Sequence, residues 1–149
     1  MLGQHGIRDE VNKLIRFYFD GKEDYRLAAK RATDDETRLR LETLCAERER
    51  FHHEVQGAVT DLAVEMSDNG TMGADFKRDW ERLRGGVGGH GLDSALQLAA
   101  KSDAHAAEQA QRLLQVGLPE KLQSVIQSQL PALQASVTAI NDGSASGAR

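Results

Sequence analysis

Between Asp34 and Met66 the apolar residues fall at Leu41, Leu44, Phe51, Val55, Ala58, Leu62 and Met66. The steps are three, four and seven, which keeps them on one face of a helix about seven turns long. With Leu41 at position a of the repeat and Leu44 at d, the next a is Arg48 and the next d is Phe51. A guanidinium on an apolar seam is costly unless a carboxylate or other acceptors lie beside it. Cys45, His52 and Val59 sit one step off the seam, while Glu49, Arg50 and His53 point away from it. This long helix is the rod against which the rest of the chain is expected to pack.

The same periodicity runs from Ile7 through Val11, Leu14, Tyr18, Gly21, Tyr25, Ala28 and Ala32 after a flexible lead of residues 1–6. Asp9 and Glu10 suit the positive end of that first helix. Gly21 costs about 1 kcal/mol inside a helix but stands on the seam, where it permits close approach or a local distortion. Asp34 is placed to cap the second helix, and the tight link makes the two helices antiparallel neighbours. Ser67–Gly73 and Gly85–Gly91 are glycine-rich breaks around a short helix that carries Phe76, Trp80 and Leu83 on one side. A third long helix runs from about Leu92 to Val116 and ends at Gly117. Pro119 opens the fourth, in which Pro131 is expected to produce a kink or a local break in the hydrogen-bond ladder. Residues 1–140 thus form one domain, and 141–149 read as a disordered tail. Four amphipathic helices with a long connection between the second and third predict an all-α, ferritin-like four-helix bundle whose crossover contains the short extra helix.

Charge narrows the functional classes. The 149 residues are 28% charged and 40% hydrophobic, with a net charge of -4 and both signs interspersed. No basic stripe of the kind that binds nucleic acid is visible. No apolar run reaches membrane-spanning length, and the N-terminal segment lacks the apolar core of a secretion signal. The lone Cys45 precludes an internal disulfide framework and points to the reducing cytoplasm.

LIRFYFDGKEDYRLAA (Leu14–Ala29), ERERFHHEV (Glu47–Val55), the Trp80 segment and LPEKLQSVIQSQLPAL (Leu118–Leu133) together resemble a bacterial family of small proteins. That family is catalogued as a domain of unknown function and described as ferritin-like four-helix bundles. The resemblance spans about residues 9–140 and implies the fold; it implies no activity. The wider ferritin-like group often holds two iron or manganese ions, which the resemblance raises as an expectation for this chain.

Such a centre needs a Glu from each of two helices and Glu-x-x-His from each of the other two, all facing inward. Glu49-x-x-His52 has the spacing but the wrong phase, since the inward pair is Arg48 and Phe51. The fourth helix has no Glu, Asp or His between Glu120 and Asp142. Glu23, Glu49, His52 and Asp103 make at best an incomplete metal set. The same positions suit a polar network instead, with Arg48 reaching Asp103 and with Gln129 and Asp20 or Asp24 completing the hydrogen bonds. The plainer alternative has Arg48 snorkelling to water.

Other motifs fall short of chemistry. From His53 a His-Glu-x-x-His motif would need a second histidine at position 57, which is Gly57. GGVGGHG lacks the strand before it and the Gly-Lys-Ser/Thr after it that a phosphate loop requires. No nucleophile–base or paired-carboxylate arrangement emerges. Phe76, Trp80 and Leu83 either cap the core or form a partner-binding row. The expected function is therefore a non-catalytic binding or structural bundle, with no cofactor, that associates with itself or another protein. Ala104, Gln109, Gln111 and Arg112 offer an outer surface for a second copy. The competing reading is a metal-binding protein or oxidoreductase.

Overall fold

The computed structural model describes residues 4–61 and 91–147, with side chains for 6–60 and 91–141. The described chain forms four long helices, α1 (Gln4–Arg31), α2 (Asp35–Asp61), α3 (Leu92–Leu114) and α4 (Glu120–Gly147). The short helix and crossover expected between α2 and α3 fall outside the described residues.

Helix α1 begins at Gln4, inside the expected lead, so Asp9 and Glu10 lie beyond its first turn, which holds no acid. Asp34 caps α2 by accepting the Thr37 N–H at 2.9 Å, a bond that holds its carboxyl below the usual value. The link from α3 to α4 passes through Gly117 at φ 76, a left-handed turn that favours glycine. Pro131 does not interrupt the helical assignment of α4. It sits on the exposed side, so the hydrogen bond it cannot make is lost where water can replace it. The backbone stays helical to Gly147, past residue 140, where the periodicity placed the end of the bundle.

Close backbone contacts join α1 to α2, α2 to α4, α4 to α3 and α3 to α1, leaving α1/α4 and α2/α3 as the diagonals of the bundle. Glu10 meets Gln109 and Arg112 while Tyr25 meets Asp103, so α1 and α3 are antiparallel. Arg48 meets Ser136 while Phe51 and Glu54 meet Gln129, so α2 and α4 are antiparallel too. The diagonal helices α2 and α3 therefore run the same way. The C-terminal part of α2, at Val59, is at one end of the bundle, and Leu92 at the start of α3 is at the other.

The apolar core is divided. One cluster gathers Val11, Leu14, Tyr18, Phe51, Val55, Leu113, Leu122, Ile126 and Leu133; the other gathers Tyr25, Ala28, Leu41, Ala95 and Ala99. Along every helix the residues between the two clusters are polar or small: Gly21 and Asp24, Arg48, Ser102 and Asp103, and Ser136. Gly21 is built into that layer. A Cβ there would stand 3.3 Å from Asp103 Oδ1 and 3.7 Å from Arg48 Cγ, tighter than ordinary van der Waals contact to the carboxylate. The missing side chain is the space in which the two charges meet.

Candidate functional site

All four helices contribute to the middle of the polar layer, α2 with two side chains and each of the others with one. Arg48 of α2 has no exposed surface. Its Nε donates to Asp103 Oδ1 at 2.8 Å and its Nη2 to Asp103 Oδ2 at 3.0 Å, a bidentate pair across the α2/α3 diagonal. The same Nη2 donates to Ser136 Oγ of α4 at 2.7 Å, and Nη1 donates to Glu47 Oε1 at 2.6 Å. Tyr25 of α1 donates its hydroxyl to Asp103 Oδ2 at 2.5 Å. The guanidinium carbon lies 5.5 Å from the Tyr25 ring centre and 5.3 Å from that of Phe51, within cation–π range.

Burial alone would push the Arg48 pKa down, but the bond and charge of Asp103, with Glu47 beside them, hold it above the ordinary value. Burial and then the negative charge of Asp103 push Tyr25 up, and burial does the same for Tyr18. These groups keep their protons near neutrality. A charge pair so placed stabilises only when its geometry repays two desolvation penalties. Planar bidentate pairing with additional acceptors meets that condition.

The other diagonal has its own polar link. Tyr18 of α1 donates to Gln129 Oε1 of α4 at 2.6 Å, and Gln129 Nε2 donates to the Phe51 carbonyl at 3.2 Å and to Glu54 at 3.0 Å. Gln129 thereby uses its oxygen and both amide hydrogens. A third contact joins Ser102 to the fully buried Asp24 at 2.6 Å.

The expected network is thus divided among separate contacts. Arg48 and Asp103 meet, and Arg48 does not snorkel to water. Gln129 serves Tyr18 and α2 rather than the guanidinium, Asp24 takes a bond from Ser102, and Asp20 is half-buried on α1. Hydrophobic periodicity does not point to Tyr25, Ser136, Glu47 or Ser102 as partners; Tyr25 and Ser136 lie on seams, and the structure places them at the depth of Arg48.

The residues of the metal reading do not gather. Glu49 is exposed, 3.7 Å from Lys22; Glu23 pairs with Arg26 at 3.3 Å; and His52 stacks on His53 at 5.2 Å between ring centres. Asp103 is held by Arg48. Among the described residues no three His, Cys, Asp or Glu side chains are grouped as a cation would require. A guanidinium at the centre also opposes any cation placed beside it, so this donor set does not fit a di-metal centre. The Phe76, Trp80 and Leu83 row lies outside the described residues. Cys45 is half-buried, and burial pushes its thiol up, away from reactivity. Toward the end of the bundle that holds Val59, an open groove of about 460 Å³ runs between α2 and α4, lined by His53, Glu54, Gly57, Ala58, Lys121, Ser124, Val125 and Ser128. None of the described helices is long and apolar enough to cross a membrane.

Arg48→Met leaves Asp103 buried without its counter-charge and is expected to destabilise the fold by about 3–5 kcal/mol in urea titration. Adding Asp103→Leu should recover most of that loss, because the stranded charge is then gone. His52 gives a separate pH signature. Burial and then the neighbouring His53 push it down to about 4, below its usual 6.5. Between those values the unfolded chain binds a proton that the folded chain does not, so stability falls as the pH drops from 6.5 toward 4. His52→Gln should flatten that decline by on the order of 1 kcal/mol, allowing for solvent screening of a partly exposed ring. Melting the two proteins across this range measures the difference.

Comparisons with curated proteins and with solved structures yield no match. A family model does match, over residues 7–116, which takes in α1, α2, α3 and the connection between the latter two. The chain therefore belongs to the family described as Domain of unknown function (DUF2383).

Proposed function

We propose that this protein is a non-catalytic bundle of ferritin-like topology that serves as a binding or structural module and associates with itself. In this reading residues 62–90 cross the length of the bundle. Parallel α2 and α3, with the end of one and the start of the other at opposite ends, support that topology. The lone free Cys45 supports a place in the reducing cytoplasm.

One observation carries the reading. The fully buried Arg48–Asp103 pair occupies the bundle interior, the region in which metal-carrying relatives of this architecture place their inward carboxylates and histidines. A cation is already there, covalently attached to α2. Its acceptors come from α3 and α4 and from the adjacent Glu47, and Tyr25 of α1 supplies a further donor to Asp103. These bonds fix the height of α2 against α3 and α4, a use of buried polar groups attested in other helical assemblies. Turnover needs a group free to exchange a proton, accept a ligand or attack a substrate. The side chains of this centre are instead engaged with one another.

Elemental analysis of untagged protein, purified without chelators, tests the reading. The expected result is iron, manganese and zinc each far below one equivalent per chain, before and after incubation with the ferrous or manganous ion. One or more equivalents retained through gel filtration, and lost in Glu49→Gln or His52→Gln, would favour the metalloprotein reading in its place.

A further inference from the structure

We infer that the outward face of α4 is the surface on which a second copy of this chain packs, antiparallel, about a two-fold axis passing close to Pro131. The inference names the contact for the self-association proposed above, rests on that reading, and replaces the α3 surface expected from sequence, where Gln109 is buried against the Glu10 carbonyl and Arg112 pairs with Glu10.

The distribution of charge is the first support. From Leu122 to Asn141 helix α4 carries no acidic or basic side chain, although Gln127, Ser128, Pro131, Gln134 and Ala135 are exposed. The exposed sides of the other helices carry both signs: Asp9 and Lys13 on α1, Glu42 and Arg50 on α2, Lys101 and Glu108 on α3. Each copy has a net charge of -4, so identical chains repel one another overall. A two-fold contact also brings residues near its axis against their own kind, so a charge there meets a like charge. A face of amides and hydroxyls avoids both penalties, because a glutamine offers donors and an acceptor to another glutamine. Charge depletion is also what distinguishes the centre of an interface from the remaining surface.

Backbone chemistry gives the second. Pro131 has no N–H to give the Gln127 carbonyl one turn earlier, so the exposed side of α4 keeps a backbone acceptor without its helical donor. An antiparallel copy crossing at residue 131 brings its own Gln134 level with that carbonyl. The two-fold axis makes the same bond twice.

The seam beside α4 gives the third. Helices α2 and α4 make the sparsest contact of any neighbouring pair, and the open groove between them is lined by Gly57, Ala58, Ser124 and Val125 together with Glu54 and Lys121, one charge of each sign. The uncharged stretch of α4 is about 30 Å long at 1.5 Å per residue. A contact that also takes in the groove wall adds area toward the roughly 1,200 Å² typical of a specific interface.

The test is sedimentation velocity of the full chain over a concentration series, with circular dichroism confirming that each variant is folded. Wild type is expected to be a reversible or stable dimer. Gln127→Glu with Gln134→Glu sets carboxylate against carboxylate across the axis and should weaken dimerisation by about tenfold or more. Gln127→Lys with Gln134→Glu sets opposite charges together and should restore it. A monomeric wild type overturns the inference. So does a dimer equally strong in both variants, or a charge-matched variant as weak as the mismatched one. A monomer without bound metal would remove this contact and leave the reading of the buried centre intact; a dimer carrying stoichiometric metal would do the reverse.

Discussion

A guanidinium sealed between four helices sets terms that the remaining sequence has to meet. Moving such a charge out of water costs several kcal/mol even after the surroundings relax, and an isolated one would unfold a domain of this size. Arg48 is kept by a bidentate carboxylate, a hydroxyl and a second carboxylate within 3.0 Å, with aromatic faces against its carbon. The neighbouring positions read as consequences. At Gly21 a Cβ would stand only 3.3 Å from Asp103 Oδ1, so the glycine leaves room for the carboxylate. Helix α3 approaches α1 on Ala95, Ala99, Ala106 and Ala110, whose small side chains bring Asp103 within reach of Tyr25. The Tyr25 hydroxyl, which a phenylalanine would lack, gives that carboxylate a third donor.

This arrangement favours uniqueness over the largest attainable stability. An apolar set of the same volume could match or exceed a buried ion pair in free energy. Leucines, however, would tolerate a slip of one helix along another, whereas a two-pronged pair joining α2 to α3 and a third bond to α4 hold one height only. Gln129 does the same for the α1/α4 diagonal in the larger apolar cluster. Both diagonals, which make the least backbone contact, are thus spanned by hydrogen bonds, and further polar bonds cross the α1/α3 and α2/α4 sides.

Much of this was legible in the residues alone, because helical phase says which side chains point inward. Leu41, Phe51, Val55 and Ala58 fix the phase of α2, and the same count puts Arg48 inside and Glu49 and His53 outside, where they lie. Phase does not give height, and height decides partners. Gln129 and Ser136 both point inward from α4, but they are about 10 Å apart along the axis at 1.5 Å per residue. Arg48 is level with Ser136, so Gln129, the acceptor that phase points to, bonds Tyr18 instead. Periodicity makes Tyr25 an apolar seam residue, because its hydroxyl is silent in a hydrophobic pattern. The ends of helices were less legible still. Helix α1 starts at Gln4, inside the expected lead, and α4 continues to Gly147, past residue 140.

The central claim is that Arg48 is charged, dry and held in place by Asp103. Nitrogen-15 NMR of the arginine side chains addresses it directly through exchange of the Nε proton with water. The account predicts one Nε–H signal, assigned to Arg48, that exchanges orders of magnitude more slowly than those of exposed arginines such as Arg40 and shows an overlap contact to Tyr25. That protection should collapse in Asp103→Asn while the helical circular dichroism persists. An Arg48 proton exchanging as fast as that of Arg40 in the folded wild-type protein would contradict the account.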